Sequence, residues 1–190
     1  MSASLEYPQK HLISADEYLR MGEGGVFAPD ARLELIEGEI IEMAPIDPPH
    51  AGCVKTLNQL FARRAGDKVL VSVQDPLIAS PRSVPQPDLV LLKPRADNYR
   101  TSHPGVADVL LAIEVSDTTL HFDLRIKVPL YARCGIVEAW VVDVNDPLVH
   151  VFREPSAAGY RTTLTLKPGE AAACAALPDA RVEVGELFGA

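Results

Sequence analysis

The stretch LLAIEVSDTTLHFDLRIKVPLYARCG, residues 110–135, decides the fold of this chain. Its first part is an apolar run typical of a buried strand, and Glu114 lies near the end of that run. The part that follows has a helical pattern and carries Asp123 and Lys127 four residues apart, on one face of the predicted helix. Because unpaired carboxylates are rarely buried for packing alone, Glu114 indicates a functional site where the strand ends.

The elements around this stretch predict an α/β fold, a mixed sheet with helices packed on it. The order is α-β-β-β-α-β, with a first helix HAGCVKTLNQLFARRAG (50–66) and strands KVLVSV (68–73), PDLVLLK (87–93), DVLLAIEVS (108–116) and EAWVVDV (138–144). The apolar runs 89–92 and 109–115 lack strict alternation, which indicates strands covered on both faces. Three successive strands without helices between them argue against a doubly wound parallel sheet, the competing architecture.

Further elements are predicted on both sides of this core. On the N-terminal side, SADEYLRM (14–21) has the capping box of a short helix, and RLELIEGEIIEM (32–43) predicts a hairpin that turns at Glu37 and Gly38. On the C-terminal side we expect a hairpin and then a last strand, formed by LVHVFRE (148–154), YRTTLTL (160–166) and ARVEVGELF (180–188). No repeat or linker divides the chain, so residues 1–190 are predicted to form a single domain.

Composition narrows the classes of function. The formal net charge of -8, from 26 acidic and 18 basic residues, argues against a protein that coats nucleic acid or an anionic membrane without selectivity. The cysteines Cys53, Cys134 and Cys174 are odd in number and form no C-x-x-C pair, which argues against a disulfide framework and a structural zinc site. No segment has the apolar length of a signal peptide or a membrane span, so we expect a cytoplasmic protein without a membrane partner.

Two carboxylates are predicted to meet at one end of the sheet. Asp88 begins one strand and Glu114 lies near the end of the next, so an antiparallel pairing of these strands would place them side by side. Two carboxylates repel each other, but together they form an oxygen site for a divalent cation such as Mg²⁺ or Mn²⁺. Lys127 can project toward them from the helix, and a kink at Pro129 would aim it there.

Each of these residues also has a purely structural interpretation. Asp88 after a proline is an ordinary turn residue, and Asp123 with Lys127 fits an exposed helix pair worth about 0.2 to 0.5 kcal/mol. His50 in the first turn of its helix is expected at the surface in its neutral form, because the helix dipole disfavours a positive charge there. Glu37 fits a plain hairpin-turn carboxylate.

These motifs resemble the Uma-type restriction endonuclease family, a bacterial branch of the PD-(D/E)XK nuclease superfamily. The resemblance covers nearly the whole chain, including SADEYLRM, ELIEGEIIEMAPIDPPH and QPDLVLL. It is most specific where E-V-S-D-T-T, D-x-x-x-K and Y-A-x-x-G-I-x-E-x-W-V-V-D follow one another from residue 114 onward. It implies a restriction-endonuclease-like core, to which the N-terminal helix-hairpin and the C-terminal β-hairpin are additions.

The resemblance also implies catalytic roles. Asp88 matches the superfamily's metal-binding aspartate, and Glu114 matches its second acidic ligand. The superfamily's lysine usually lies two residues after that glutamate, where this chain has Ser116. The resemblance therefore implies that Lys127, on the helix, has taken over the role of the catalytic lysine.

Three further residues are expected to border the substrate-binding cleft. Glu37 and His50 match the N-terminal pieces of the family pattern, and Asp123 shares a helix face with Lys127. Phosphate contacts are expected from basic side chains that follow the core strands or lie on the helix, namely Lys93, Arg95, Arg100, Arg125 and Arg133.

Two hypotheses of function follow. The first is a magnesium-dependent endonuclease that hydrolyses DNA phosphodiester bonds and acts as a homodimer through its apolar C-terminal strands. In it, Asp88 and Glu114, with the carbonyl of Val115, hold the cation. The alternative is a non-catalytic module that binds nucleic acid or protein on a nuclease-like fold, which the net charge and Ser116 favour.

Overall fold

The N-terminal part packs a helix beside a two-stranded hairpin. The structure is a computed structural model that describes residues 8–189. Helix α1 (Ala15–Glu23) begins with the predicted capping box, and strands β1 (Leu33–Ile36) and β2 (Glu39–Glu42) pair antiparallel. Between them Glu37 and Gly38 have φ values of 50° and 87°, the left-handed backbone that a tight hairpin turn requires. Gly38 is also needed for space, since a Cβ there would lie 2.7 Å from the Cβ of Leu12.

The central sheet has six strands in the order β3-β4-β5-β6-β7-β8. All neighbours pair antiparallel except β5 and β6, which are parallel. The sheet is therefore mixed, and the predicted α-β-β-β-α-β order is confirmed. The strands are β3 (Leu70–Ser72), β4 (Leu89–Leu92), β5 (Val109–Ser116), β6 (Glu138–Asp143), β7 (Leu148–Ser156) and β8 (Gly159–Leu166).

Helices cover both faces of the sheet at strands β4, β5 and β6. On one face, helix α2 (Pro48–Ala65) buries Leu57 and Phe61, and the Phe61 ring lies 6.0 Å from that of Trp140 on β6. The other face of the sheet packs against Tyr131, from the helix that connects β5 to β6. Burial on both sides explains why the apolar runs in β4 and β5 do not alternate with polar residues.

The connecting helix contains one wide turn. It begins as α3 (Leu120–Phe122), continues as a π-helical turn over Asp123–Lys127, and ends as α4 (Val128–Cys134). The Val128 N–H donates to the carbonyl of Asp123, five residues back, instead of four. Pro129 follows directly after this wide turn, so the irregular hydrogen bonding of the helix lies where the sequence predicted a kink.

The C-terminal segment adds the predicted hairpin, β7 and β8, but not the predicted long last strand. Within 180–188, only β10 (Val182–Glu183) pairs, with β9 (Ala171–Ala172), and a 3₁₀ turn over Val184–Phe188 follows. The Glu186 carboxylate accepts the N–H of Glu183 at 3.0 Å, which favours the turn over a longer strand. Within residues 8–189, no helix is both long and apolar enough to cross a membrane.

Candidate active site

The strand pairing brings Asp88 and Glu114 into one cleft. Leu89 of β4 is paired with Ile113 of β5, so Asp88 and Glu114 are next to this pair at the same end of the sheet. The Val115 N–H donates to Oδ2 of Asp88 at 2.9 Å, which fixes the aspartate against the strand that carries Glu114. Both side chains are buried and line the same cleft.

Lys127 lies at the floor of this cleft, between two glutamates. Its Nζ is 2.8 Å from Oε1 of Glu114 and 3.1 Å from Oε1 of Glu34, and its side chain is 1% exposed. The wide helical turn that carries Lys127 also carries Asp123, which is buried as well. The interpretation of Lys127 and Asp123 as a solvent-exposed helix pair is therefore wrong.

Asp123 is held by hydroxyl groups. Its Oδ2 accepts hydrogen bonds from Ser116 Oγ and Thr119 Oγ1, each at 2.7 Å. Ser116 thus orients a carboxylate at the edge of the cleft. Asp123 also lines the cleft, as expected for a residue that borders it, while its part in substrate binding stays a prediction.

Glu34 is a site residue that sequence reasoning missed. It lies in β1, and the hairpin folds over the end of the sheet so that Glu34 reaches Lys127 across 93 positions of sequence. Its Oε2 is buried and has no hydrogen-bond partner within residues 8–189. The sequence pattern that could have identified Glu34 is the same as for Glu114: a carboxylate inside an apolar run, here LELI.

The cleft holds more negative than positive charge. Carboxylates of Glu34, Asp88, Glu114 and Asp123 surround the single ammonium of Lys127. Burial raises the pKa of Glu114 well above its usual value, and the other carboxylates raise it further although Lys127 opposes this. Burial alone would lower the pKa of Lys127, but its acidic neighbours raise it, so the ammonium keeps its proton.

His50 does not lie at the surface, where its place in the helix predicts it. Its Nε2 lies 3.1 Å from Oδ1 of Asp88, and its side chain is 12% exposed. Burial lowers the pKa of His50, but the hydrogen bond to Asp88 and the charge of that carboxylate outweigh burial and raise it. The expectation from the helix dipole was wrong because a carboxylate in contact acts more strongly than the partial charge of a helix end.

Asp88 remains ionised despite its burial. Burial raises its pKa, but hydrogen bonding to His50 and the charges of His50 and Lys127 more than offset this and lower it. Gln74 Nε2 also donates to Oδ1 at 3.0 Å. Tyr131 is buried in the core and donates its hydroxyl to Oε1 of Glu114.

The donor set fits Mg²⁺ or Mn²⁺ held by few protein ligands. Within residues 8–189, no group of three or more His, Cys, Asp or Glu side chains is arranged to hold an ion by itself. Mg²⁺ usually takes only one or two carboxylates and completes its shell with water and phosphate oxygens. Asp88 and Glu114 supply two, the excess carboxylate charge favours a cation, and the cleft has a cavity volume of about 40 Å³.

Other predicted contacts lie elsewhere. Glu37 does not line the cleft; its side chain is 62% exposed and pairs with Arg133 on the surface, so its substrate-binding role stays a prediction. Lys93 and the loop that carries Arg95 follow the far end of β4, where Leu92 pairs with Val109. That point is about 16 Å along β5 from Glu114, too far for contact with a phosphate at the cleft.

Comparison with known proteins agrees with this architecture. A family model, Uma2, described as "Putative restriction endonuclease", matches residues 15–185. Among solved structures, the chain is similar to a protein of Anabaena variabilis described as "a putative nuclease belonging to DUF820". The TM-score is 0.73 at 16% identity, over 93% of this chain and 97% of that one, a likeness of fold. No curated protein matches the chain.

Proposed function

Because the chain belongs to the Uma2 family, whose model is described as "Putative restriction endonuclease", we propose that it is a metal-dependent endonuclease that hydrolyses phosphodiester bonds in DNA. The observation that carries the proposal is the buried ammonium of Lys127, in contact with Glu114 and Glu34 in a cleft that also holds Asp88. Burying this many charges is costly, and no packing purpose requires it.

The cation assigned to this site is Mg²⁺ or Mn²⁺, held by Asp88 and Glu114. When bound, such an ion polarises a phosphate oxygen and lowers the pKa of a bound water. Asp88 is kept in place for this role by the Val115 N–H, Gln74 and His50. These contacts orient its carboxylate before the substrate arrives, which lowers the cost of reorganisation.

Lys127 acts through the positive charge of its ammonium and not as a base. Since its carboxylate neighbours raise its pKa, it stays protonated and is unsuited to remove a proton from water. Its ammonium instead orients the attacking water and stabilises the charge that develops on the phosphate oxygens. Glu34 and Glu114 hold the ammonium in position, so Glu34 is a positioning residue.

One observation favours the alternative, a non-catalytic module that binds nucleic acid or protein. Ser116 occupies the superfamily's lysine position, and its hydroxyl is engaged with Asp123. If Lys127 has not taken over the lysine's role, the cleft can bind a cation and a phosphate without cleaving. Homodimerisation through the C-terminal strands and a cytoplasmic location stay predictions.

Metal titration followed by thermal melting tests the cation site. Saturating Mg²⁺ or Mn²⁺ should raise the melting temperature of the parent protein, by the equivalent of about 2.7 kcal/mol at a hundred times the dissociation constant. Asp88→Asn should abolish both this stabilisation and the cleavage of plasmid DNA. A parent protein that melts at the same temperature with and without metal would rule out the metal-dependent mechanism.

Lys127→Ala separates catalysis from metal binding. Because Lys127 is not a ligand, the variant should still be stabilised by metal but should not cleave DNA. Lys127→Met, which keeps more of the buried volume, covers the case in which the alanine variant does not fold. Lys55→Ala, an exposed lysine on α2, is the control and should cleave normally. Parent-level cleavage by Lys127→Met would refute the role given to the lysine and leave the binding module as the better hypothesis.

A further inference from the structure

A second basic residue lies at the mouth of the acidic cleft. Arg32 precedes β1 and is two residues from Glu34, so both side chains lie on the same face of the strand and both line the cleft. The carbonyl of Arg32 accepts the N–H of Met43 at 2.8 Å, and its guanidinium donates through Nη1 to the carbonyl of Ala44. The side chain is thus anchored at one nitrogen, and a guanidinium has five donor hydrogens in all.

Arg32 is a cation that can hold an anionic substrate at the rim of the cleft. Lys127 is engaged by Glu34 and Glu114 at the floor, whereas Arg32 makes no ion pair with any residue in the range 8–189. Carboxylates repel a phosphate, so a donor at the rim is needed to hold the backbone of a nucleic acid there. A guanidinium suits phosphate because its donors match two oxygens at once.

An apolar pocket lies beside the cleft, next to Ala44, to which the Arg32 guanidinium donates. This rim pocket is lined by Ile41, Glu42, Met43, Ala44, Thr119 and Phe122, and its cavity volume is about 110 Å³. Met43, Ala44 and Thr119 also line the carboxylate cleft, so the two spaces lie next to each other. Ile41, Met43 and Phe122 are each only half-buried, which leaves apolar surface open to a ligand.

We propose that Arg32 and the rim pocket form a subsite for one unpaired nucleotide of the substrate strand, with a phosphate on Arg32 and the base in the pocket. The inference rests on the proposed function, since it names the substrate of the same cleft. A base has two apolar faces, but in a duplex these are stacked and out of reach. The subsite therefore selects single-stranded nucleic acid, or a duplex end or loop with an unpaired base.

Binding of fluorescein-labelled DNA, followed by anisotropy with Ca²⁺ in place of Mg²⁺, tests the subsite. The probes are a short single strand and a blunt duplex containing the same strand. The parent should bind the single strand more tightly. Arg32→Ala and Phe122→Leu should each weaken single-strand binding by roughly ten-fold, because one removes a phosphate contact and the other an aromatic face. Arg63→Ala, at the far end of α2 and exposed, is the control.

The outcomes separate this inference from the proposed function. Equal or tighter binding of the duplex, or unchanged single-strand binding by both variants, overturns the subsite even if the parent cleaves DNA with Mg²⁺. Single-strand binding that falls in Arg32→Ala and Phe122→Leu but not in Arg63→Ala supports it, even if no cleavage is found. Melting temperatures within a few degrees of the parent verify that Phe122→Leu is folded.

Discussion

Two clusters of buried charge lie at opposite ends of the parallel pair β5 and β6, and they are built differently. At the start of β6, both carboxylate oxygens of Glu138 accept hydrogen bonds. Oε1 accepts from Trp140 Nε1 at 2.7 Å and from Arg153 Nη2 at 2.9 Å, and Oε2 accepts from the Ala175 N–H at 2.8 Å. Near the end of β5, Glu114 and Glu34 share one ammonium, and Oε2 of Glu34 is buried without a partner.

The difference separates structural burial of charge from functional burial. The Glu138 cluster ties the segment around Ala175 to the sheet, and each oxygen of its carboxylate has a donor. Nε of Arg153 is buried there without a partner within residues 8–189, but Arg153 matches the charge of Glu138, so the cluster has no excess negative charge for a cation to relieve. The cleft instead holds several carboxylates in excess of Lys127, a state that a bound cation would relieve. Buried charge thus indicates function here where the carboxylates outnumber the cations that face them.

The same substitution at the two glutamates should have opposite consequences. Glu138→Gln replaces one carboxylate oxygen with an NH₂ group, which then faces a hydrogen-bond donor and cannot accept from it. The variant should therefore be less stable by about 2 kcal/mol. Glu114→Gln removes one of the mutually repelling charges and should change the metal-free stability by less than about 1 kcal/mol, or raise it. Urea unfolding without metal measures both.

The two substitutions should also differ in their effects on DNA cleavage. Glu138→Gln should cleave DNA normally per folded molecule, whereas Glu114→Gln should not cleave and should lose the stabilisation by metal. Equal destabilisation by the two substitutions would show that the cleft is as well satisfied as the Glu138 cluster, and the contrast between them would fail.

The pH dependence of stability should also differ between the parent and Glu114→Gln. Burial raises the pKa of Glu114 above the ordinary value of 4.5. A group whose pKa is higher in the folded state stabilises the fold fully below its unfolded pKa, and this contribution is lost as the pH rises toward the folded pKa. The melting temperature of the metal-free parent should therefore fall as the pH rises above 4.5, and less steeply in Glu114→Gln.

Other titratable groups in the cleft determine how the melting temperature of Glu114→Gln still depends on pH. Glu34, Asp123 and His50 also have raised pKa values, so Glu114→Gln should reduce the fall without removing it. Asp88 has a lowered pKa and acts in the opposite direction, but only as the pH drops below its usual 3.8. Identical slopes for parent and variant between pH 5 and 8 would show that Glu114 does not titrate in this window.

The exposed pair of Glu37 and Arg133 should give the smallest effect. Its atoms are 2.7 Å apart, but both side chains are open to solvent, so the charges are screened. Glu37→Ala should change the free energy of unfolding by less than about 0.5 kcal/mol and leave DNA binding and cleavage at the parent level. A marked loss of DNA affinity would restore Glu37 to the substrate-binding role suggested by its motif.

The local sequence pattern was enough to predict most of the secondary structure. The hydrophobic runs located β4, β5 and β6, and the capping box and the Glu37–Gly38 turn located α1 and the first hairpin. The meeting of Asp88 and Glu114 required their two strands to be antiparallel neighbours, and the structure meets this condition. The last strand failed, because its alternation over 180–188 did not reveal a turn stabilised by the Glu186 carboxylate.

The sequence by itself determined that Asp88 begins one apolar strand and that Glu114 lies near the end of the next, because the strand pattern is a local property. The antiparallel pairing that brings the two carboxylates together is a tertiary contact across the loop between β4 and β5. Only the tertiary structure decided that Glu34 faces Lys127, that Lys127 is buried, and that His50 is paired with Asp88. Those contacts depend on how a hairpin and a helix pack over the sheet end. The charge state of a side chain follows from such neighbours, which are distant along the chain and leave no periodic trace in it.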